Sequence, residues 1–102
     1  MKTSKLRGAA LDWAVDTSMN LNTPYNSWGQ IGKVPAYSTD WAQGGPIIAR
    51  ERITLEWTGE GWNAYIRHDD EYPDGPTPLV AAMRCYVASK LGDEIYIPEE
   101  LK

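Results

Sequence analysis

Two short stretches hold the residue types that could do chemistry. The first is HDDE at 68–71, which sets the one histidine, His68, beside Asp69, Asp70 and Glu71. A metal ion needs ligands that converge, and consecutive residues converge only in a specialised loop; the spacing of an EF-hand is absent. A solvated acidic loop is the simpler reading. Cys85 could serve as a nucleophile with His68 as its base. It falls, however, in an apolar helical stretch whose basic neighbour is Arg84, which suits a packed, inert thiol. Gly59-Glu60-Gly61 and Gly44-Gly45-Pro46 match no phosphate-cradling spacing and read as turns. The expectation is no catalytic residue, no metal and no cofactor.

The second stretch is YSTDWAQGGPII at 37–48. Asp40 and Gln43 have the spacing of a capping box, in which the cap oxygen takes a free N–H and the amide three residues on reaches back. Ser38 or Thr39 could cap instead. Gly44-Gly45 then ends one helical turn and Pro46 opens another, with Ile47 and Ile48 facing inward. That reading leaves Tyr37 and Trp41 over. Four residues apart, they fall side by side on a helical turn and could anchor a partner. Trp28 and Tyr25, close by in the chain, could extend the cluster. Tyr37, Asp40, Trp41 and Trp28 are therefore the candidate binding residues, for a partner protein or for a second copy in a homodimer.

These residues need a scaffold, and the chain is long enough to build one. It has 102 residues, 42% hydrophobic and 24% charged, which suits a single compact domain over 1–102 that buries about 65% of its unfolded surface. One cysteine excludes an internal disulfide or a thiolate cluster. The ten basic residues are scattered and the net charge is −4, so a groove for duplex nucleic acid is not expected. Nothing approaches the ~20 apolar residues of a membrane span. The N-terminal residues lack the apolar run of a secretory signal, which predicts a cytoplasmic location. Five tryptophans and six tyrosines, with no phenylalanine, favour aromatic rings with a polar tip at cores and interfaces alike.

Hydrophobic spacing predicts the elements. In 4–16, Leu11, Ala14 and Val15 form a helical stripe capped by Ser4, with Asp12 and Asp16 pointing away; Trp13 lies off the stripe, packed or exposed. Residues 17–36 carry loop chemistry. A helical region covers 39–51. ITLEW at 53–57 alternates, with Ile53, Leu55 and Trp57 on one face; TGEG turns; WNAYI at 62–66 alternates again. That is an antiparallel hairpin over 53–66. Helix 77–91 has Thr77 as N-cap, Pro78 at N1 and Gly92 at its end. Its apolar residues occupy most of its girth, so it is the central packing element. Residues 94–97 supply a short edge strand. The fold class is α+β: a small antiparallel sheet sandwiched by helices 4–16, 39–51 and 77–91.

GAALDWAV (8–15), YSTDWAQGGPII (37–48), EGW (60–62), GPTPLVAAMRCYVASKLGDE (75–94) and IPEEL (97–101) resemble the phage NinX-like family, small proteins of tailed bacteriophages and prophages. The order of segments is more loosely similar to the phage ABA sandwich domain, whose layers stack alpha-beta-alpha. The resemblance implies a phage or prophage accessory protein in the host bacterial cytoplasm. It brings no catalytic residues to carry over. Two function classes follow: an accessory protein that binds a host or phage protein, and a small-molecule or nucleotide-binding protein or unrecognised enzyme. A concave aromatic pocket with converging Asp40, His68 or Arg84 would favour the second.

Overall fold

A computed structural model describes residues 2–19, 34–67, 73–97 and 99–101. Among these residues, three α-helices and a three-stranded antiparallel sheet make an α+β fold. Helix α1 spans Gly8–Met19, α2 Trp41–Glu51 and α3 Pro78–Leu91, and the strands are β1 Thr54–Trp57, β2 Trp62–Tyr65 and β3 Asp74–Gly75.

The first helix is shifted from its expected span of 4–16. Residues Thr3–Lys5 form a separate 3-10 turn, and Leu6 is extended. Gly8 takes φ +58, a left-handed value that a residue without Cβ adopts freely, and this bend sets the new start. Ser4 lies inside the 3-10 turn and does not cap α1. The helix continues past 16 to Met19, and within it the Ser18 hydroxyl donates 2.8 Å to the Ala14 carbonyl, so that its polar group is satisfied by the helix itself. Trp13 is buried.

The hairpin forms as expected, in the register Thr54↔Tyr65, Leu55↔Ala64, Glu56↔Asn63 and Trp57↔Trp62. The third strand is Asp74–Gly75, paired with β2, and not 94–97. That segment is occupied elsewhere: Glu94 makes an isolated bridge to Lys2, and Ile97 is buried in the core. Thr3 completes the tie, its N–H donating 2.7 Å to the Asp93 carbonyl and its hydroxyl 2.6 Å to the Gly92 carbonyl.

Helix α3 is the centre. Thr77 caps it through an Oγ1 that accepts from the Val80 N–H at 3.1 Å, Pro78 stands in its first turn, and Gly92 closes it. Leu79, Ala81, Ala82, Met83, Cys85, Tyr86 and Val87 are all buried, so its girth is apolar as the spacing implies. The strands pack on α3, and α1 and α2 also dock chiefly on α3. The layering therefore differs from the expected sandwich: a helix, not the sheet, is the middle layer. The cause is visible in the strands. Only Ile53, Ala64 and Tyr65 among the sheet residues and their flanks are well buried, besides Gly75, so the sheet has too little apolar surface to need helices on both faces.

Arg84 fastens this core to two outlying segments. Its Nε donates 2.7 Å to the Leu6 carbonyl and a terminal nitrogen donates 2.7 Å to the Asp74 carbonyl. Burial lowers its pKa from the ordinary value; Asp74 opposes that shift and Arg7 adds to it.

Candidate functional site

The stretch 37–48 folds as a tight turn followed by one continuous helix. Ala36 accepts from the Thr39 and Asp40 N–H groups at 3.2 and 2.9 Å, which turns the chain through Tyr37, Ser38 and Thr39. Asp40 is the N-cap of α2, and its Oδ1 accepts from the Ala42 N–H at 2.9 Å. The Asp40 N–H goes to Ala36, so no capping box closes with Gln43. Helix α2 does not stop at Gly44-Gly45: Gly44, Gly45 and Pro46 are all inside it. A Cβ built on Gly44 would run into the Tyr37 carbonyl oxygen and lie 2.7 Å from the Leu79 Cδ1. Gly44 is thus a contact point where the turn, α2 and α3 meet, not a terminator.

The same turn is bound to α1. Asp12 accepts the Ser38 N–H at 2.8 Å, and the Tyr37 hydroxyl donates to Asp16 at 3.4 Å. These carboxylates, expected to point away, instead hold the turn down. Tyr37 is 7% exposed. Burial first, then the negative charge and hydrogen bonding of Asp16, push its pKa up to about 12. The Ser38 Oγ, next in the chain, and the Trp13 Nε1 are buried without a hydrogen-bond partner among the described residues.

The expected aromatic pair is therefore split. Tyr37 faces the core, and Trp41 is 54% exposed. The reason is that Tyr37 precedes the helix, in a turn, so a spacing of four does not place the two rings on one helical face. Asp40 is adjacent, with its carboxylate engaged in capping. Trp28 lies outside the described residues, as do His68 and the acidic residues that follow it.

Grooves lined by described residues flank α3 on two sides. One, of about 520 Å³, runs past Glu51, Arg67, Cys85, Lys90 and Asp93. At its rim Arg50 contacts Glu51 at 3.0 Å and Lys90 approaches Glu51 at 3.9 Å. Both cations lie 5.9 Å from the Tyr86 ring centroid, within cation–π range. The hydrogen bond to Glu51 is the main reason the Arg50 pKa rises; burial is the main reason Tyr86 rises. The other groove, of about 610 Å³, is bordered by Lys5, Arg7, Asp74 and Arg84. Neither joins Asp40 or an exposed aromatic ring to Arg84. Among the described residues, no three His, Cys, Asp or Glu side chains gather as a metal site would require.

Sequence periodicity missed one exposed ring. Trp57 was expected inward with Ile53 and Leu55, yet it is 57% exposed. It leans on Trp62, ring centroids 5.4 Å apart at 55°. It stands beside the hairpin turn, at the end of a four-residue strand. Tyr96 is 72% exposed.

With this geometry in view, the family model of bacteriophage P22 NinX matches residues 2–90. The chain belongs to the NinX family. The match embraces α1, α2, the hairpin and nearly all of α3, so the turn at 37–40 and the Arg84 clasp are parts of the matched unit. It makes this chain a phage accessory protein. None of the curated proteins matches it. No helix among the described residues is long and apolar enough to cross a membrane.

Proposed function

We propose that this NinX-family chain works in the host bacterial cytoplasm by binding a host or phage protein, with Trp41 as the anchor of the contact. The exposure of Trp41 carries the reading. Its indole stands on the first residue of a helix whose cap is fixed by Asp40 and whose preceding turn is pinned to Asp12 and Asp16. A large ring on a backbone that is already ordered loses little entropy on binding, and such anchors contribute ~2 kcal/mol or more once desolvated. The alternative of a small-molecule or nucleotide site has less support: Arg84 is spent on two backbone carbonyls and Asp40 on its cap.

The test is Trp41→Ala. A surface anchor leaves the melt within ~0.5 kcal/mol of the parent and strips partners from an affinity capture out of infected-cell lysate, identified by mass spectrometry. A loss of about 3–5 kcal/mol, the range for a buried tryptophan, with the captured proteins unchanged, would exclude Trp41 as the anchor.

A further inference from the structure

We propose that the groove bordered by Lys5, Arg7 and Arg84 binds the phosphate group of a small molecule, either inorganic phosphate or a phosphate monoester. The basic residues are scattered along the sequence, but the fold gathers these three around one groove of about 610 Å³. The N-terminal segment contributes two of them through its backbone. After the 3-10 turn Thr3–Lys5, Leu6 is extended, and in extended chain successive side chains point to opposite sides. Leu6 is wholly buried, so Lys5 and Arg7 flank it on the outside and line the groove. Arg84 joins them from α3, 78 positions from Leu6.

The charge in this groove is not balanced from within. Asp74 is the one carboxylate among the described residues that line it, so three cations face one anion and an excess of two positive charges is left. Neither Lys5, Arg7 nor Arg84 has a carboxylate within salt-bridge distance among the described residues. Arg84 is held by the Leu6 and Asp74 carbonyls, which use two of its five N–H donors. Burial and the charge of Arg7 both lower its pKa. A partly buried guanidinium beside a second cation, with no counter-ion in contact, costs free energy, and an anion in the groove removes that cost.

The backbone adds a donor of its own. Ala10 lines the groove and is 6% exposed. Its N–H lies in the first turn of α1, where a helix offers no acceptor, and it meets none elsewhere among the described residues. No acidic residue stands in that turn, so the positive end of the helix dipole is also uncompensated. A phosphate monoester brings about two negative charges and three acceptor oxygens, which match the excess charge and the remaining guanidinium donors better than a single carboxylate does. Asp40 and the exposed rings take no part here, so this site and the contact at Trp41 do not depend on each other.

The purified chain tests it. Sodium phosphate and, separately, AMP are titrated at constant ionic strength held with chloride, and the amide signal of Ala10 and the Nε–H signal of Arg84 are followed by NMR. Both signals should shift saturably. Tighter binding of AMP identifies a monoester as the ligand, and equal affinity identifies free phosphate. Arg7→Gln should weaken binding by about tenfold. Asp74→Asn removes the lining carboxylate, keeps the backbone carbonyl and should tighten binding. Lys90→Gln makes the same charge change as Arg7→Gln in the other groove and should leave binding unaltered. Arg7 and Asp74 are exposed, so the melts of their variants should stay near the parent. No saturable shift with either probe, equal weakening by Arg7→Gln and Lys90→Gln, or shifts confined to residues away from the groove would each overturn the proposal.

Discussion

Helices α2 and α3 touch, and their lengths are similar, but they are held by opposite means. In α3 every local signal agrees: Thr77 at the cap, Pro78 in the first turn, Gly92 at the end, and apolar residues on all sides. In α2 the cap is sound, but the interior reads Gly44-Gly45-Pro46 and only Gly44 and Ile47 are buried. Two glycines and a proline argue against a helix by about 5 kcal/mol of summed propensity. Tertiary contact overrides that sum, since Gly44 is where the Tyr37 carbonyl and the Leu79 side chain come closest. Propensity decides a segment when neighbours leave it a choice; here the neighbours remove the choice.

The contrast can be broken first at α3. Met83→Asp and Val87→Asp each place a charge where the parent residue is wholly buried. An unpaired buried ion costs several kcal/mol, a large part of a total stability of ~5–15 kcal/mol. Both variants are expected to lose the cooperative thermal transition. A near-parental melt would show that α3 is not the centre.

At α2 the test runs against propensity. Gly44→Ala favours an isolated helix by ~1 kcal/mol, yet its methyl group has no room. The expected net effect is a loss of about 2 kcal/mol in urea unfolding, and a gain would show that the junction is loose.

Tyr37 sharpens the same point through pH. Its folded pKa of about 12 stands above the ordinary 10.0. Below pH ~10 the ring is neutral in both states. Between ~10 and ~12 the unfolded chain releases a proton that the folded chain keeps, so stability falls as pH rises through that window. Tyr37→Phe should show a shallower fall when urea midpoints at pH 9 and 11 are compared; equal slopes would remove Tyr37 as the responsible group.

The smallest effect belongs to the end of α2. Arg52 occupies the left-handed C-cap at φ 56, where glycine is the usual residue. Arg52→Gly should raise stability by up to ~1 kcal/mol in the same urea titration, whereas a loss would mean that the arginine side chain contributes more than its backbone strain costs.

These contrasts also explain what was legible in the residues beforehand. The hairpin and α3 were legible because alternation, caps and turn residues are local properties, and so was the α+β class. The candidate site was only half legible. Asp40 announced its cap through spacing. The burial of Tyr37 depended on Asp12 and Asp16, more than twenty positions away, and no spacing rule connects them. The same holds for β3: Asp74-Gly75 has no strand composition, and becomes a strand because β2 offers a free side above α3. The 94–97 segment has the composition, but the N-terminal turn claims Glu94 and the core claims Ile97.

The bond from the Thr3 hydroxyl to Gly92 spans 89 positions, against 10 for Arg84 to Asp74. Loop-closure entropy grows with the logarithm of that separation, so the longer ring costs about 2 kcal/mol more to close. The expected order of assembly is that Arg84 clasps β3 while the chain is still largely open, and that its bond to Leu6 and the seating of Thr3 come later. In the folded molecule the Thr3 amide is expected to trade its proton with solvent before the amides of α3 do, which hydrogen exchange would measure.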